Sequence, residues 1–184
     1  EAICNLGCYY HDGLEGFVKS AKKARRLYER AAKLGDGYAM VNLGALFEEG
    51  EGGKLDKKKA LQLFRGAADC GHALGQYNLG RLLDEAGDFD EGLRLWSLAA
   101  AQGLDVAEFG LGTYYEGGFG VPKDLVEAKR LYALAAAKGH ERAKSILANL
   151  EANRLKTKFR MNAEMCAAKV RAKAKLAQSE LTEA

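Results

Sequence analysis

One short signature recurs four times in this chain of 184 residues and constrains its fold more than anything else. Leu6-Gly7, Leu43-Gly44, Leu79-Gly80 and Leu111-Gly112 are followed in turn by Ala31-Ala32, Ala67-Ala68, Ala99-Ala100 and Ala135-Ala136. From the second Ala of each pair to the next Leu-Gly glycine the offset is always twelve: Ala32 to Gly44, Ala68 to Gly80, Ala100 to Gly112. The forward offset varies instead, being 24, 23, 19 and 23. An invariant connection beside a variable one describes a repeat array whose internal loops absorb insertions.

Each repeat reads as two helices. In the first, Ala39, Leu43 and Phe47 match Ala107, Leu111 and Tyr115, and Ala2, Leu6 and Tyr10 do the same near the start, all at i, i+4, i+8. In the second, Ala24, Leu27, Tyr28, Ala31 and Ala32 match Ala60, Leu63, Phe64, Ala67 and Ala68. The same ladder continues through Gly92, Leu95, Trp96, Ala99 and Ala100, then Ala128, Leu131, Tyr132, Ala135 and Ala136. This is one apolar face of a 3.6-period helix. Small residues there let two backbones approach, and one aromatic fills the space beside them. Gly35, Gly71, Gly103 and Gly139 each follow the second Ala by three residues, where a left-handed glycine stops a helix. The links that follow are short enough to demand antiparallel neighbours.

These residues resemble the Sel1-like repeat, a relative of the tetratricopeptide repeat. The fourth repeat carries the resemblance most fully, through Ala107, Leu111, Gly112, Tyr115, Gly118, Gly120, Val121, Asp124, Ala128, Tyr132, Ala135, Ala136, Gly139 and Ala143. The first two repeats stretch the loop, and the third, reading DEAGDFDEG, lacks the glycine-pair turn. The resemblance covers residues 2 to about 150 and implies an all-α, right-handed α-α superhelical solenoid, to which the residues beyond it are expected to add a long C-terminal capping helix. The expected repeats are 1–36, 37–72, 73–104 and 105–140, with the first helix of a fifth unit at 141–152 and a basic helix at 153–184. The family implies a role in holding other proteins together, usually without catalysis. Its members include scaffolds of endoplasmic-reticulum quality control, secreted cysteine-rich bacterial proteins and factors of organelle assembly.

A composition of 48% hydrophobic residues with a single Pro suits stacked helices. No run approaches eighteen apolar residues, so no membrane span is expected. The sequence opens at Glu1 in what reads as mid-helix, so upstream sequence is expected. Four cysteines, Cys4, Cys8, Cys70 and Cys166, do not fall as a pair in each repeat, and no N-x-Ser/Thr site occurs. That pattern argues against a disulfide framework and favours an intracellular or organellar reducing compartment.

The net charge is +3, yet residues 140–175 hold ten Lys or Arg against three Glu. From Glu141 to Leu181 there is no Gly or Pro, so one long helix, or two with a bend near 153–162, is expected. Its apolar stripe runs Leu155, Phe159, Ala163, Cys166, Val170, Ala174, Ala177 and Leu181. Two roles are expected along it. Leu155 and Phe159 would dock on the last repeat as a cap. Lys156, Lys158, Arg160, Lys169, Arg171, Lys173 and Lys175 would meet an acidic protein, ribosomal RNA or an anionic membrane, although no aromatic after Phe159 offers base stacking.

Residues suggesting chemistry have plainer explanations. Cys4, Cys8 and His11 share a helical face at i, i+4, i+7, but the positions matching Cys4 are Val41, Tyr77 and Phe109, and a fourth metal ligand is lacking. Gly117, Gly118 and Gly120 mimic a phosphate loop without the preceding strand or the GK[ST] ending. The acidic loop Asp84, Glu85, Asp88, Asp90 and Glu91 lacks the Gly and terminal Glu of a calcium hand. No nucleophile with a base and an orienter can be assembled, so no catalytic residue, metal or cofactor is expected and a hydrolase is the least favoured reading. The expected partner surface is instead the concave face of the first helices: Val41, Ala45, Glu48, Tyr77, Arg81, Asp84, Phe109, Thr113 and Glu116. Aromatics mixed with carboxylates there would clamp a peptide or helix of some basic character, unless Val41, Tyr77 and Phe109 serve as inter-repeat packing.

Overall fold

The computed structural model describes residues 2–14 and 16–182, with side chains as far as 171. Its elements are α1 (Ala2–Asp12), α2 (Ala21–Lys33), α3 (Gly37–Glu49), α4 (Lys57–Asp69), α5 (Ala73–Glu85), α6 (Phe89–Ala101), α7 (Asp105–Gly117), α8 (Leu125–Ala137) and α9 (Glu141–Thr182). No strand occurs among the described residues. Each helix packs on its neighbours in sequence, so four helix pairs stack into a right-handed solenoid.

The recurrent signature is a knob and a notch. A Cβ on Gly44 would stand 2.6 Å from the Phe64 ring, and Gly7, Gly80 and Gly112 meet Tyr28, Trp96 and Tyr132 at 2.5, 2.5 and 2.6 Å. Only the missing side chain lets each aromatic of a second helix lie against the backbone of its first helix. The alanines complete the approach, with Ala24, Ala31, Ala60, Ala67, Ala99, Ala128 and Ala135 all buried.

The helix ends follow local chemistry. Gly35 and Gly103 adopt φ of 83° and 84°, the left-handed stop anticipated from their spacing. Asp36, Asp56 and Asp124 begin α3, α4 and α8 by accepting backbone N–H bonds from Ala39, Lys59 and Glu127 at 3.1, 3.1 and 3.0 Å, a cap of about 1 kcal/mol each. The variable loops also bind repeats together. Gly52 sits so close to the Ala21 carbonyl that a Cβ would approach it to 2.6 Å. The third repeat, with only Ala86, Gly87 and Asp88 between α5 and α6, has no loop of that length.

A polar clamp joins the last repeats. Gln102, just past α6, donates to the Gly71 carbonyl and to Gln76 Oε1 at 3.0 and 2.8 Å. Lys138, just past α8, donates to the Gly103 carbonyl and to Glu108 Oε1 at 3.0 and 2.6 Å. The matching positions in the first two repeats are Leu34 with Ile3, which have no polar side-chain atom, and Cys70 with Met40, whose sulfurs are only a weak donor and a weak acceptor.

The C-terminal helix corrects one expectation. It runs unbroken for 42 residues and closes the solenoid with its first turns, where Ala143 is buried and Ile146 and Leu147 pack beside Tyr132 and Ala135. Leu155 and Phe159 do not dock: they are 47% and 72% exposed. At about 100° per residue they lie roughly 120° and 160° around the helix from Ala143, and with no Gly or Pro to bend it the helix carries them into solvent.

Candidate functional site

Of the expected concave-face residues, the row three positions before each glycine is committed to packing. Val41 is buried in the core cluster that runs from Cys4 to Leu95 and offers no surface, a correction that follows from the packing of neighbouring helices over it. Tyr77 is half-buried, its ring stacked on Trp96 at 5.9 Å while its carbonyl accepts the Trp96 indole N–H at 2.9 Å. Phe109 lies 5.5 Å from the Tyr132 ring and stacks on His140 at 4.4 Å, with the Arg142 guanidinium 5.4 Å away.

The other two rows reach the surface, and Glu48 and Arg81 are tied to each other across a repeat boundary. Arg81 on α5 donates through Nη2 to both Glu48 oxygens on α3 at 2.7 and 2.8 Å, and through Nη1 to Glu85 at 2.7 Å. Burial works against the Arg81 charge, but the bonds from Glu48 and then Glu85 outweigh it and raise its pKa. Asp84 accepts the Tyr114 hydroxyl at 2.6 Å, and exposed Glu116 accepts that of Tyr132 at 2.6 Å. Burial first, then the carboxylate in each case, pushes both phenols well above their ordinary value of 10. Ala45 and Thr113 are half-buried, and Thr113 Oγ1 donates to the Gly110 carbonyl at 2.6 Å. The exposed or half-buried polar groups of these two rows, Glu48, Arg81, Asp84, Thr113 and Glu116, together with half-buried Ala45, are termed the polar strip.

The Cys4, Cys8 and His11 group is no ligand set. Cys4 is buried, and burial above all, then Asp36, raises its thiol to about 11. Cys8 Sγ accepts the Tyr28 hydroxyl at 3.4 Å, and His11 spans Asp12 and Glu51 at 2.7 and 3.2 Å. Among the described residues no three His, Cys, Asp or Glu side chains come together as a metal site.

A second surface lies on α9. Lys156, Lys158, Arg160, Lys169 and Arg171 are exposed, while the side chains of Lys173 and Lys175 lie outside the described residues. Arg160 Nε approaches Glu164 at 3.7 Å. Beside the basic groups Met161, Met165 and Val170 are 62%, 53% and 69% exposed. No described helix is long and apolar enough to cross a membrane.

Sequence reasoning passed over the Gln102 and Lys138 clamps and the link from Glu48 to Arg81. The tyrosine bond to Glu116 had a signal, since Tyr132, like Tyr28 and unlike Phe64 and Trp96 at the matching positions, carries a hydroxyl that needs a partner when buried.

Comparison with known proteins agrees with this geometry. The family model of the Sel1 repeat matches residues 1–36, 37–72, 73–104 and 105–140. The chain belongs to the Sel1 repeat family. Sel1 repeats generally mediate protein–protein interaction and are generally a non-enzymatic fold. A Sel1 repeat protein of Oxalobacter formigenes superposes with a TM-score of 0.75 at 32% identity, over 83% of this chain and 62% of that one. An immunity protein of Pseudomonas aeruginosa gives 0.58 at 28%, over 77% and 53%. A chitin synthase regulator of Malassezia restricta is 47% identical over 57 residues, which are 30% of this Sel1 chain and 4% of the regulator. The chain thus spans less than two thirds of the length of each of these relatives.

Proposed function

We propose that this Sel1 repeat chain is a non-catalytic scaffold or structural subunit of a larger assembly, holding partner proteins on the polar strip of its first helices and on α9. The observation that carries the reading is the state of α9. Every side chain from Glu151 to Arg171 is exposed, including Leu155, Phe159, Met161, Met165 and Val170, which a solitary helix leaves in water at a cost of about 25 cal/mol per Å² of apolar area. A partner that covers even one side of these residues recovers part of that free energy. The strip contributes differently, as a row of oriented carboxylates for a segment of some basic character.

The test is co-purification with the intact chain through a graded salt wash. Retention in a large particle supports a permanent subunit, and release at moderate salt supports a reversible adaptor. Ala45→Arg and Thr113→Arg obstruct the strip at the loss of no more than the Thr113 bond to the Gly110 carbonyl, and truncation after Asn153 removes the exposed part of α9. If neither change alters the set of bound proteins, the reading fails.

A second reading has α9 meet RNA or an anionic surface, favoured by the exposed Lys156, Lys158, Arg160, Lys169 and Arg171. Nuclease treatment before the wash separates the two, because partners held through RNA would then be lost.

A further inference from the structure

We infer that the exposed part of α9 is one strand of a heterotypic coiled coil, and that its occupant is an amphipathic helix of a partner protein whose narrow aliphatic seam is flanked by Asp and Glu. The inference rests on the reading of α9 as a partner surface and names the partner's chemistry.

The register of α9 defines two separate faces. Ala143, Ile146 and Leu147 are spent on the last repeat. Leu155, Phe159, Ala163, Cys166 and Val170 fall within an arc of about 80° on another side, at 100° per residue. All five are exposed. That width suits the seam of a coiled coil, narrower than the apolar face of a core helix. Ala163 and Cys166 in its second half are small enough to admit a partner backbone.

The flanks decide what can lie there. At 100° per residue Lys156 and Arg160 lie within about 60° of the seam's edge on one side and Lys158 and Lys169 within about 60° on the other, with Arg171 about 80° out, beyond Arg160. From Arg154 to Arg171 six basic residues stand against one acidic residue, Glu164. A second copy of α9 would set these rows against each other, lysine facing arginine, which like-charge repulsion opposes. An acidic-flanked helix pairs with both rows at once. Lipid is disfavoured because Lys158 and Lys169 lie between the seam and the exposed Met165 and Met161, which stand about 80° and 120° beyond Leu155, so the apolar residues never merge into the broad face that lies in a bilayer. For RNA the seam would be idle, since one aromatic, Phe159, is all it offers for stacking.

The probe is the chain itself with its flanks reversed: Lys156→Glu, Lys158→Glu, Arg160→Glu, Lys169→Glu and Arg171→Glu, which keeps the seam and all solenoid contacts. Circular dichroism checks that helicity is retained. In sedimentation the wild-type chain alone remains monomeric, and its mixture with the reversed chain gives a species of twice the mass. That species weakens at least about tenfold as salt rises from roughly 0.05 to 0.5 M, and Phe159→Asp in either component abolishes it. Self-association of the wild type through α9, absence of the mixed species, or a mixed species indifferent to Phe159→Asp overturns the inference. So does tighter binding of the wild type to phosphatidylserine vesicles or single-stranded RNA than to the reversed chain. Should the inference fail while proteins still co-purify through the strip, the scaffold reading stands without it.

Discussion

Arg81 reaches back across a repeat boundary to Glu48, placing one guanidinium nitrogen 2.7 and 2.8 Å from the two carboxylate oxygens. Both side chains keep about a quarter of their surface in water, 30% and 24%, so solvent screens the pair. A double-mutant cycle with Arg81→Ala and Glu48→Ala is expected to give a coupling of about 0.5–1 kcal/mol in chemical denaturation. A coupling near zero would show that the pair orients the strip without stabilising the repeat junction.

The knob-and-notch contact should tolerate no added methyl. Gly44→Ala forces a Cβ to within 2.6 Å of the Phe64 ring, and overpacking of this kind costs about 1–3 kcal/mol. Pairing it with Phe64→Leu, which removes the ring, should recover part of the loss. Urea denaturation of the two single variants and the double variant measures this, and additive losses would contradict the contact.

Alkaline conditions should loosen the array. The Tyr114 and Tyr132 phenols have folded pKa values raised above their usual 10, so their contribution is complete below pH 10 and is lost as pH rises beyond it toward the folded values. Tyr132→Phe removes one such group. It should cost about 1 kcal/mol at neutral pH and flatten the fall in melting temperature above pH 10.

Acid acts through other groups. Arg130 beside Glu127, and Arg94 beside Glu91, hold those carboxyls below their ordinary 4.5. Their contribution is therefore present above pH 4.5 and lost as pH falls below it. Glu127→Gln should lower stability slightly at pH 7, by about 0.5 kcal/mol for an exposed pair, and make no difference at pH 2. Thermal melts at the two pH values test the sign.

Changes on the exposed part of α9 should leave the solenoid's stability alone. Leu155→Ser and Phe159→Ser are expected to shift unfolding by less than about 0.5 kcal/mol, whereas Leu147→Ala should cost more because that side chain packs against the last repeat. Equal effects at positions 147 and 159 would mean that the helix folds back onto the array.

The sequence disclosed the array because its signature is made of size. Gly44, Ala60 and Ala67 are small for one reason, and regular recurrence exposes that reason without coordinates. Exposure of a side chain obeys no such rule. Val41 and Tyr77 occupy equivalent positions, yet one is core and the other lies half-buried over Trp96, because the neighbouring helix pair sets the exposure. The polar clamps were half legible: Gln102 with Gln76 and Lys138 with Glu108 are polar where the first two repeats hold Leu34 with Ile3 and Cys70 with Met40, while the bonds to the Gly71 and Gly103 carbonyls leave no trace in residue identity. Leu155 and Phe159 misled because a stripe of apolar residues reveals that a helix has a preferred side, but not where that side points once the preceding turns are anchored.

The continuity of α9 has a geometric consequence. From Glu151 to Thr182 it extends about 45 Å at 1.5 Å per residue, starting from turns fastened to the fourth repeat. A molecule bound near its tip and another bound on the strip would be held at a set separation and bearing, as by a ruler, with little of the freedom that a flexible tether allows.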